Sequence, residues 1–358
     1  MKVLMMMKDS EIGGVASCVA SLADGLKKYK NVEVIIAASN GDSIGSIIKD
    51  AAIVDFASKN PIQILKNYKK IKRIVKNKQI DIIHAQNRIP AFYAAFYCFF
   101  HRNTDYIWSN HLVPIPSDIV HRILTFYGKC AVSEGLDGKE MLINDFGIDP
   151  NKVSTVNLGI DIDKLIRLET SEQTALREKF GIDEKEKIIL LYGRLDPVKG
   201  HDFLLDAIKK YADKSFRLVF PGENERYKIH IMEKAKELGL QSNLIFPGYI
   251  DGPAWLSISD LMVLPSKKEG FGIVNVEAFV MGVPVIRTTT GGYRDMKDLC
   301  LGVDYGDVDE LERLLQKFFD NDSEFEEIKI RAKKGCQRFS LESYTNGYYE
   351  IYKKAIGL

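Results

Sequence analysis

The sequence predicts an α/β protein made of two doubly wound domains, each a parallel sheet covered by helices on both faces. Short apolar runs alternate with segments of helical periodicity along the chain, which is typical of buried parallel strands joined by crossover helices. The scheme occurs twice, and 358 residues suit two domains better than one core. Because ligands of such sheets bind at the carboxyl ends of the strands, we expect a site in a cleft between the domains.

The first half begins with a short apolar run, which predicts a core strand. The run lacks the cleavage region of a signal peptide. Its predicted strands are Val3–Met7, Val32–Ala37, Ile80–His84, Tyr106–Ser109, Gly128–Val132 and Val153–Val156. Helical periodicity lies between them, near residues 14–29, 62–78, 89–100, 117–126 and 134–146.

The second half repeats this alternation. Its predicted strands are Ile188–Tyr192, Arg217–Phe220, Leu244–Phe246, Leu261–Leu264 and Val283–Ile286. A helix is predicted from about Ile273 to Met281, between the last two strands.

Composition excludes several classes of protein. A hydrophobic content of 46%, a charged content of 28% and a net charge of +1 indicate a globular protein with no general case for nucleic-acid binding. The longest apolar run, residues 89–100, is shorter than the roughly 20 residues that span a bilayer. The five cysteines are scattered and form no CxxC pair. We therefore expect reduced thiols, a cytoplasmic location and neither a disulfide framework nor a metal site.

The most informative stretch is residues 265–286, where an apolar run ends at Pro265 and a glycine-rich loop opens a helix. Glu269 falls in the loop and Glu277 in the helix. Backbone N–H groups from Phe271 to Ile273 lie at the helix N-terminus and form an anion site, and Gly270 and Gly272 permit close approach of a ligand. Such a site suits a ligand with hydroxyls at two separated points and negative charge between them, as in a nucleotide-sugar.

Two further loops offer charge or space at strand ends. Gly193 and Arg194 follow the first strand of the second half, and Lys199 comes five residues later. Arginine acts as a fork and lysine as a point charge, so both suit a diphosphate. Gly13 and Gly14 follow the first strand of the chain and open a helix, which predicts a loop that approaches phosphate but lacks the full dinucleotide fingerprint.

Polar residues also end two strands of the first half. His84 and His111 are candidates to face a ligand, and Asn110 beside His111 is a second acceptor-side candidate after His84. The two Asp-x-Asp strings, at Asp161 and Asp307, are interpreted as turn and capping residues. No metal and no cofactor is therefore expected.

The string Pro-Ser-x-x-Glu-Gly-Phe-Gly-x-x-x-x-Glu-Ala, followed by Gly-Val-Pro-Val, resembles the signature of the retaining GT-B glycosyltransferases of family 4, the glycosyl transferases group 1. The resemblance covers nearly the whole chain. It implies two Rossmann-like domains, an acceptor-side domain at 1–165 and a nucleotide-sugar-binding domain at 166–339, with a last helix at about 340–358 that packs back on the first.

The resemblance also implies roles for single residues. Glu269, Phe271 and Gly272 bind the donor sugar, and Glu277 binds the ribose hydroxyls. His111 contacts the sugar next to the reacting carbon, and His84 faces the cleft. Arg194 and Lys199 stabilise the diphosphate as it leaves and are, with His111 and Glu269, the catalytic candidates. The other donor-binding positions are Gly13, Gly14, Gly193, Tyr249, Ile250, Gly270 and Ile273. The sequence departs from the family pattern at Asp295, where glutamate is usual, and at Val156, where proline is usual.

No residue stands out as a nucleophile, so the family mechanism implies front-side attack with net retention. The expected reaction transfers a sugar from a nucleotide-diphosphate donor, uridine by family prevalence, to a saccharide or lipid-linked saccharide acceptor in cell-surface glycan biosynthesis. Two alternatives stay open. One is a sugar-nucleotide epimerase of the same architecture, and the other is a non-catalytic subunit that binds nucleotide-sugars. Neither the donor sugar nor the acceptor is fixed by the sequence.

Residues 66–78 contain seven lysines and arginines and no acidic residue. Tyr68, Ile71, Ile74 and Val75 form an apolar stripe on the same predicted helix. This pattern predicts either a helix on an anionic membrane surface, with the protein peripheral at the inner face of the membrane, or a solvated cationic face whose stripe packs inward.

Overall fold

Each half of the chain builds its own parallel sheet. The computed structural model describes residues 1–8, 14–39, 52–58, 60–111, 115–249 and 251–358. The chain divides into unit 1, residues 1–160 with 339–358, and unit 2, residues 161–338. The division falls five residues before the boundary expected from the sequence.

Unit 1 contains a parallel sheet with the strand order β3-β2-β1-β4-β5-β6-β7. The strands are β1 (Lys2–Met7), β2 (Glu33–Ala38), β3 (Ala52–Ile53), β4 (Ile82–Ala85), β5 (Asp105–Asn110), β6 (Ala131–Ser133) and β7 (Val153–Thr155). In the described part of the chain before residue 160, the α-helices are α1 (Gly14–Leu26), α2 (Pro61–Lys78), α3 (Arg88–Phe100), α4 (Ile119–Ile123) and α5 (Leu136–Asn144). The order reverses between β1 and β4, so the carboxyl ends of these strands flank a topological switch point.

Helix α2 shows how local sequence and burial fix an element. Asn60 caps its first turn by accepting a hydrogen bond from the Ile62 N–H at 2.9 Å, and Pro61 occupies the first helical position. Ile71 and Val75 of the predicted stripe are buried in the core of unit 1. The stripe therefore packs inward, as the second of the two interpretations has it, and the cations lie on the exposed side of the helix.

Unit 2 contains a parallel sheet with the order β10-β9-β8-β11-β12-β13. The strands are β8 (Lys187–Leu190), β9 (Phe216–Val219), β10 (Leu244–Ile245), β11 (Leu261–Leu264), β12 (Val285–Thr288) and β13 (Leu301–Val303). The helices are α6 (Thr170–Lys179), α7 (His201–Ile208), α8 (Glu225–Glu237), α9 (Gly252–Ile258), α10 (Ile273–Val280), α11 (Tyr293–Met296), α12 (Val308–Phe319) and α13 (Ser323–Gly335). The apolar strands β8 and β11 are buried along their length apart from Lys187, which is the pattern of a sheet covered on both faces.

The last helix, α14 (Leu341–Ala355), belongs to unit 1. The chain enters it beside Ile160, which donates its N–H to the Phe339 carbonyl at 3.0 Å and accepts from the Leu341 N–H at 2.6 Å. A Cβ added to Gly25 of α1 would lie 2.0 Å from Thr345 Oγ1 of α14. The two helices therefore pack so closely that α1 has room for hydrogen alone at this point.

The predicted α/β architecture, two parallel sheets with alternating helices, is confirmed. Two strands were missed, β3 and β13, which have two and three residues. The helix predicted at 117–126 forms for five residues, after Asp118 accepts hydrogen bonds from the N–H groups of Val120 and His121. None of these five residues is buried, so tertiary packing does not extend this helix.

Candidate active site

Three loops follow neighbouring strands of unit 2, β8, β11 and β12, at their carboxyl ends. The first two are held together by backbone contacts, since the Lys267 N–H donates to the Val198 carbonyl at 2.8 Å. Gly200, at φ +78°, lies so close to the second loop that an added Cβ would be 1.9 Å from the Pro265 carbonyl oxygen. Glycine is thus required here by space as well as by backbone conformation.

Lys199 and Glu269 form an ion pair between these two loops. The Nζ to Oε2 distance is 2.8 Å, and the side chains are 18% and 14% exposed. A Cβ at Gly193 would lie 3.3 Å from Cδ of Lys199, so Gly193 leaves room for the lysine chain. A charge-assisted hydrogen bond in this setting orders both side chains at the strand ends.

The third loop packs its Gly291-Gly292 turn on the backbone of the second. A Cβ at Gly291 would lie 2.6 Å from the carbonyl oxygens of Glu269 and Gly270. Gly292, at φ +78°, would place its Cβ 2.2 Å from the Phe271 carbonyl oxygen. The position of Glu269 is therefore set by contact between two stretches of backbone.

A buried arginine makes hydrogen bonds to the second and third of these loops. Arg287 of β12 is fully buried and donates to the Gly291 carbonyl at 2.6 Å and to the Phe271 carbonyl at 3.4 Å. Hydrogen bonds to a charged donor are among the stronger ones in proteins. The sequence reasoning missed this residue, and the available signal was a charged side chain within the apolar run of β12.

Glu277 lies in α10 with a carboxyl group that has lost most of its solvent. Burial, assisted by the negative charge of Asp251, raises the pKa of Glu277 to about 7, and a hydrogen bond from the Tyr192 hydroxyl opposes the rise. A Cβ at Gly252 would lie 1.9 Å from that hydroxyl oxygen. Oε2 of Glu277 has no hydrogen-bond partner among the described residues. A ligand hydroxyl would satisfy this oxygen.

The N-terminus of α10 and the positions around it are open to a ligand. Gly272, at φ +80°, precedes the half-buried Ile273, and no side chain caps this end of the helix. Gly270 is exposed and has space around it. Arg194 is exposed, and its guanidinium has no hydrogen bond or ion pair with another described residue.

The residues expected to read a nucleobase lie after β10. The Gly222 N–H donates to the Gly248 carbonyl at 2.7 Å, which joins this loop to the one after β9. Tyr249 is 80% exposed. Ile250 lies outside the described residues, and so does Gly13 of the first predicted loop, while Gly14 is the first residue of α1.

In unit 1, His111 follows β5 and is held on both ring nitrogens. Nδ1 pairs with the Glu134 carboxylate, and Nε2 lies 2.7 Å from Oε1 of Gln86. The side chain of His111 is 2% exposed. Asn110, the last residue of β5, is also buried. Glu134 and Gln86 were missed because each contacts His111 from a distant position in the chain.

His84 is fully buried in the same unit. Nδ1 lies 2.7 Å from the Tyr352 hydroxyl, and Nε2 lies 2.7 Å from Oγ of Ser109, which in turn lies 2.8 Å from the Tyr348 hydroxyl. Burial, with a smaller contribution from His111, lowers the pKa of His84 well below its usual value. These contacts make His84 part of the packing of α14, and contact with an acceptor stays a prediction.

The two Asp-x-Asp strings serve the backbone and the surface. Asp307 accepts a hydrogen bond from the Glu310 N–H at 3.0 Å and caps α12, and Asp161 pairs with Lys164 at 2.9 Å. Among the described residues, no three His, Cys, Asp or Glu side chains are grouped as metal ligands would be. Catalysis without a metal stays a prediction.

Comparisons with known proteins bear on both units. A family model described as Glycosyltransferase Family 4 matches residues 12–164, and one described as Glycosyl transferases group 1 matches residues 172–335. D-inositol 3-phosphate glycosyltransferase 2 of Catenulispora acidiphila is 32% identical over 164 residues, 42% of this chain and 38% of that enzyme. The chain therefore spans well under two thirds of that relative.

A longer match is an uncharacterised 41.2 kDa protein in the cps region of Klebsiella pneumoniae, 26% identical over 79% of this chain and 81% of that protein. Among solved structures, Anabaena HepE in complex with UDP and glucose has a TM-score of 0.82 at 19% identity, covering 99% of this chain and all of that one. This chain belongs to the GT-B glycosyltransferases, its first half matching family 4 and its second half the glycosyl transferases group 1.

Proposed function

We propose that this protein transfers a sugar from a nucleotide-diphosphate donor to a saccharide or lipid-linked saccharide, with retention of anomeric configuration. The observation that carries the proposal is Glu277, whose buried carboxyl group keeps one oxygen without a partner in the described part of the chain. Binding of two vicinal ribose hydroxyls would satisfy the group and favour its charged form.

The remaining groups of unit 2 fit the rest of such a donor. Arg194 and Lys199 supply positive charge at the carboxyl end of β8, and the open N-terminus of α10 supplies backbone donors for the diphosphate. Glu269, which pairs with Lys199, is proposed to accept hydrogen bonds from sugar hydroxyls. On binding, the donor would break the ion pair between Lys199 and Glu269 and contact both side chains.

The proposed reaction needs no covalent intermediate. The acceptor oxygen attacks the anomeric carbon on the face from which the phosphate leaves. The bond from that carbon to the phosphate oxygen breaks, and the acceptor proton passes to the departing oxygen. Negative charge grows on the diphosphate in the transition state, where Arg194 and Lys199 stabilise it. His111, ordered by Glu134 and Gln86, is proposed to contact the donor sugar.

The donor base is proposed as uracil, in keeping with the UDP bound to the structurally similar HepE. We further propose a role in cell-surface glycan synthesis, inside the cell. All five cysteines are free, which fits a reducing compartment.

The experiment incubates the purified protein with radiolabelled nucleotide-sugars and saccharide or lipid-linked acceptors. We expect release of nucleoside diphosphate in equal amount to a new glycoside, whose anomeric configuration by NMR matches that of the donor. An epimerised donor without glycoside would overturn the proposal in favour of an epimerase. Tight donor binding without turnover on any acceptor would overturn it in favour of a binding subunit.

A further inference from the structure

Helix α3 of unit 1 turns four phenylalanines toward solvent. Phe92, Phe96, Phe99 and Phe100 are 41%, 37%, 73% and 61% exposed, while Tyr93 and Tyr97 on the other side of the helix pack into the core. The helix contains no acidic residue. Soluble surfaces tolerate single apolar residues, but a cluster of large aromatic side chains marks an interaction surface.

The exposed phenylalanines form one continuous surface. Ring centroids are 6.2 Å apart for Phe92 and Phe96, 5.5 Å for Phe96 and Phe100, and 5.0 Å for Phe99 and Phe100. Phe126 extends the row, with its ring 6.1 Å from that of Phe92. Beside the row lies a hollow of about 500 Å³, lined by apolar side chains that include Phe92, Phe96, Phe99 and Phe126. The apolar lining of this hollow suits hydrocarbon chains.

The short helix α4 continues the apolar character toward Phe126. Ile119, Val120, Ile123 and Leu124 are each more than half exposed. A helix face that is exposed only to water normally carries polar residues at these positions. Two neighbouring segments of unit 1 therefore present apolar side chains that the described chain leaves uncovered.

A cationic helix borders this surface. Tyr68 of α2 contacts Phe96 of α3, with ring centroids 5.0 Å apart. The cations of α2 are all exposed, and none of them forms an ion pair with a described acidic residue: Lys66, Lys69, Lys70, Lys72, Arg73, Lys76 and Lys78. Phosphate groups would supply the missing counter-charges.

We propose that α3 and α4, with the cationic face of α2, form a docking surface for an anionic lipid bilayer. The phenylalanines enter the boundary between headgroups and acyl chains, and the cations contact lipid phosphates. No helix in the described ranges is long and apolar enough to span a bilayer. The proposed contact is with the surface of the bilayer alone. The apolar contact comes from α3 and α4, because the stripe of α2 is in the core.

Vesicle binding tests this surface without any sugar donor, so its outcome is independent of the proposed transferase activity. The protein is sedimented with vesicles of phosphatidylcholine alone or with added phosphatidylglycerol. We expect binding to the anionic vesicles, weakened by salt. Phe99→Ser with Phe100→Ser should lower the partition coefficient at least about tenfold, because each buried phenylalanine contributes to binding. Failure of the parent to bind, or equal binding of parent and variant, would overturn the proposal.

A pair of charge reversals provides a matched control. Lys69→Glu with Arg73→Glu should lower partition into anionic vesicles at least about thirtyfold. Lys333→Glu with Lys334→Glu, on exposed positions of α13 in unit 2, changes the net charge equally and should leave most of the binding intact. An equal loss in both variants would show attraction by net charge alone and would overturn the proposed surface.

Two further measurements test how deeply Phe99 enters the bilayer and whether a second copy of the chain covers the surface instead. In Phe99→Trp, brominated lipids should quench the fluorescence of the new tryptophan, since Trp108 is buried and the site at Phe99 is exposed. Absence of this added quenching in bound protein would overturn insertion. A parent that dimerises through this face and ignores vesicles, with the Phe99→Ser and Phe100→Ser protein monomeric, would assign the surface to a second copy instead.

Discussion

The two units order their polar groups by different means. In unit 2, glycines bring loop backbones into contact, and Gly291 and Gly292 rest on the carbonyls of Glu269, Gly270 and Phe271. In unit 1, side chains hold one another, from Glu134 through His111 and Gln86 to His84 and the tyrosines of α14. In unit 2, the exposed guanidinium of Arg194 and Oε2 of Glu277 have no partner among the described residues, although Lys199 and Glu269 pair with each other. In unit 1, the polar groups satisfy one another.

The largest effect is expected from removing the two cations in the loop after β8 of unit 2. Arg194→Ala combined with Lys199→Ala should lower kcat by about 10²–10³-fold or more, because charge on the leaving diphosphate grows in the transition state. Turnover of the parent in excess EDTA should stay close to its normal rate if, as we propose, these side chains and not a metal stabilise the leaving diphosphate. Full inhibition by EDTA that Mn²⁺ reverses would assign the leaving-group charge to a metal.

The backbone contact itself is tested by two glycines of unit 2, Gly292 in the turn between β12 and α11 and Gly282 in the turn between α10 and β12. Gly292→Ala must displace the Phe271 carbonyl in addition to bearing its positive φ, whereas Gly282, at φ +68°, has no atom within 4 Å of an added Cβ. Gly282→Ala should cost about 1–2 kcal/mol of unfolding free energy from backbone strain. Gly292→Ala should cost more and also weaken donor binding in calorimetric titrations. Equal losses of stability with unchanged donor affinity would show that the Gly291-Gly292 turn does not set the site.

Glu277→Gln separates binding from stability. Loss of a charged acceptor should weaken donor binding by about 1.5–3 kcal/mol, with little change in kcat because the ribose lies far from the reacting carbon. In the parent, donor affinity should rise with pH through about 7, as the carboxyl group ionises. An unchanged donor KM in the variant would remove Glu277 from the site.

The same substitution should affect stability in the opposite direction. The pKa of Glu277 is about 7 in the folded protein against an ordinary 4.5, so the folded state binds more protons than the unfolded state between these values. The free energy of unfolding contributed by this group therefore falls as pH rises through that window. Denaturant melts should show Glu277→Gln gaining on the parent between about pH 5 and about pH 8. A constant difference would contradict the raised pKa.

The smallest effect is expected in the side-chain network of unit 1. Tyr352→Phe removes the hydroxyl that lies 2.7 Å from Nδ1 of His84, and His84 keeps its contact with Ser109. The cost should be about 1 kcal/mol of unfolding free energy, with donor affinity unchanged. A loss of donor affinity as large as that of Glu277→Gln would show that the network of unit 1 orders the donor site too.

What the sequence could predict follows the same division. The unit 2 loops are continuous strings in which glycines, Glu269 and Glu277 stand at fixed spacing, so local patterns could indicate them, although they did not indicate Arg287 of β12. The unit 1 network joins Gln86, Glu134 and Tyr352, and such contacts depend on topology that spacing does not encode. Strands β3 and β13 are too short to show periodicity. For α3, which is apolar around its circumference, the sequence could not tell the buried side from the exposed one.

The return of α14 to unit 1 has a consequence for the order in which the protein is made. Residues 161–338 form an uninterrupted unit, so all of unit 2 has been synthesised before α14 exists. Unit 1 lacks Tyr344, Tyr348 and Tyr352, which are fully or almost fully buried, until the chain has been extended past residue 352. Because domains generally fold as units during synthesis, the later half of the gene product should reach its native state first. The earlier half must keep its partly formed core from aggregating until the last helix arrives.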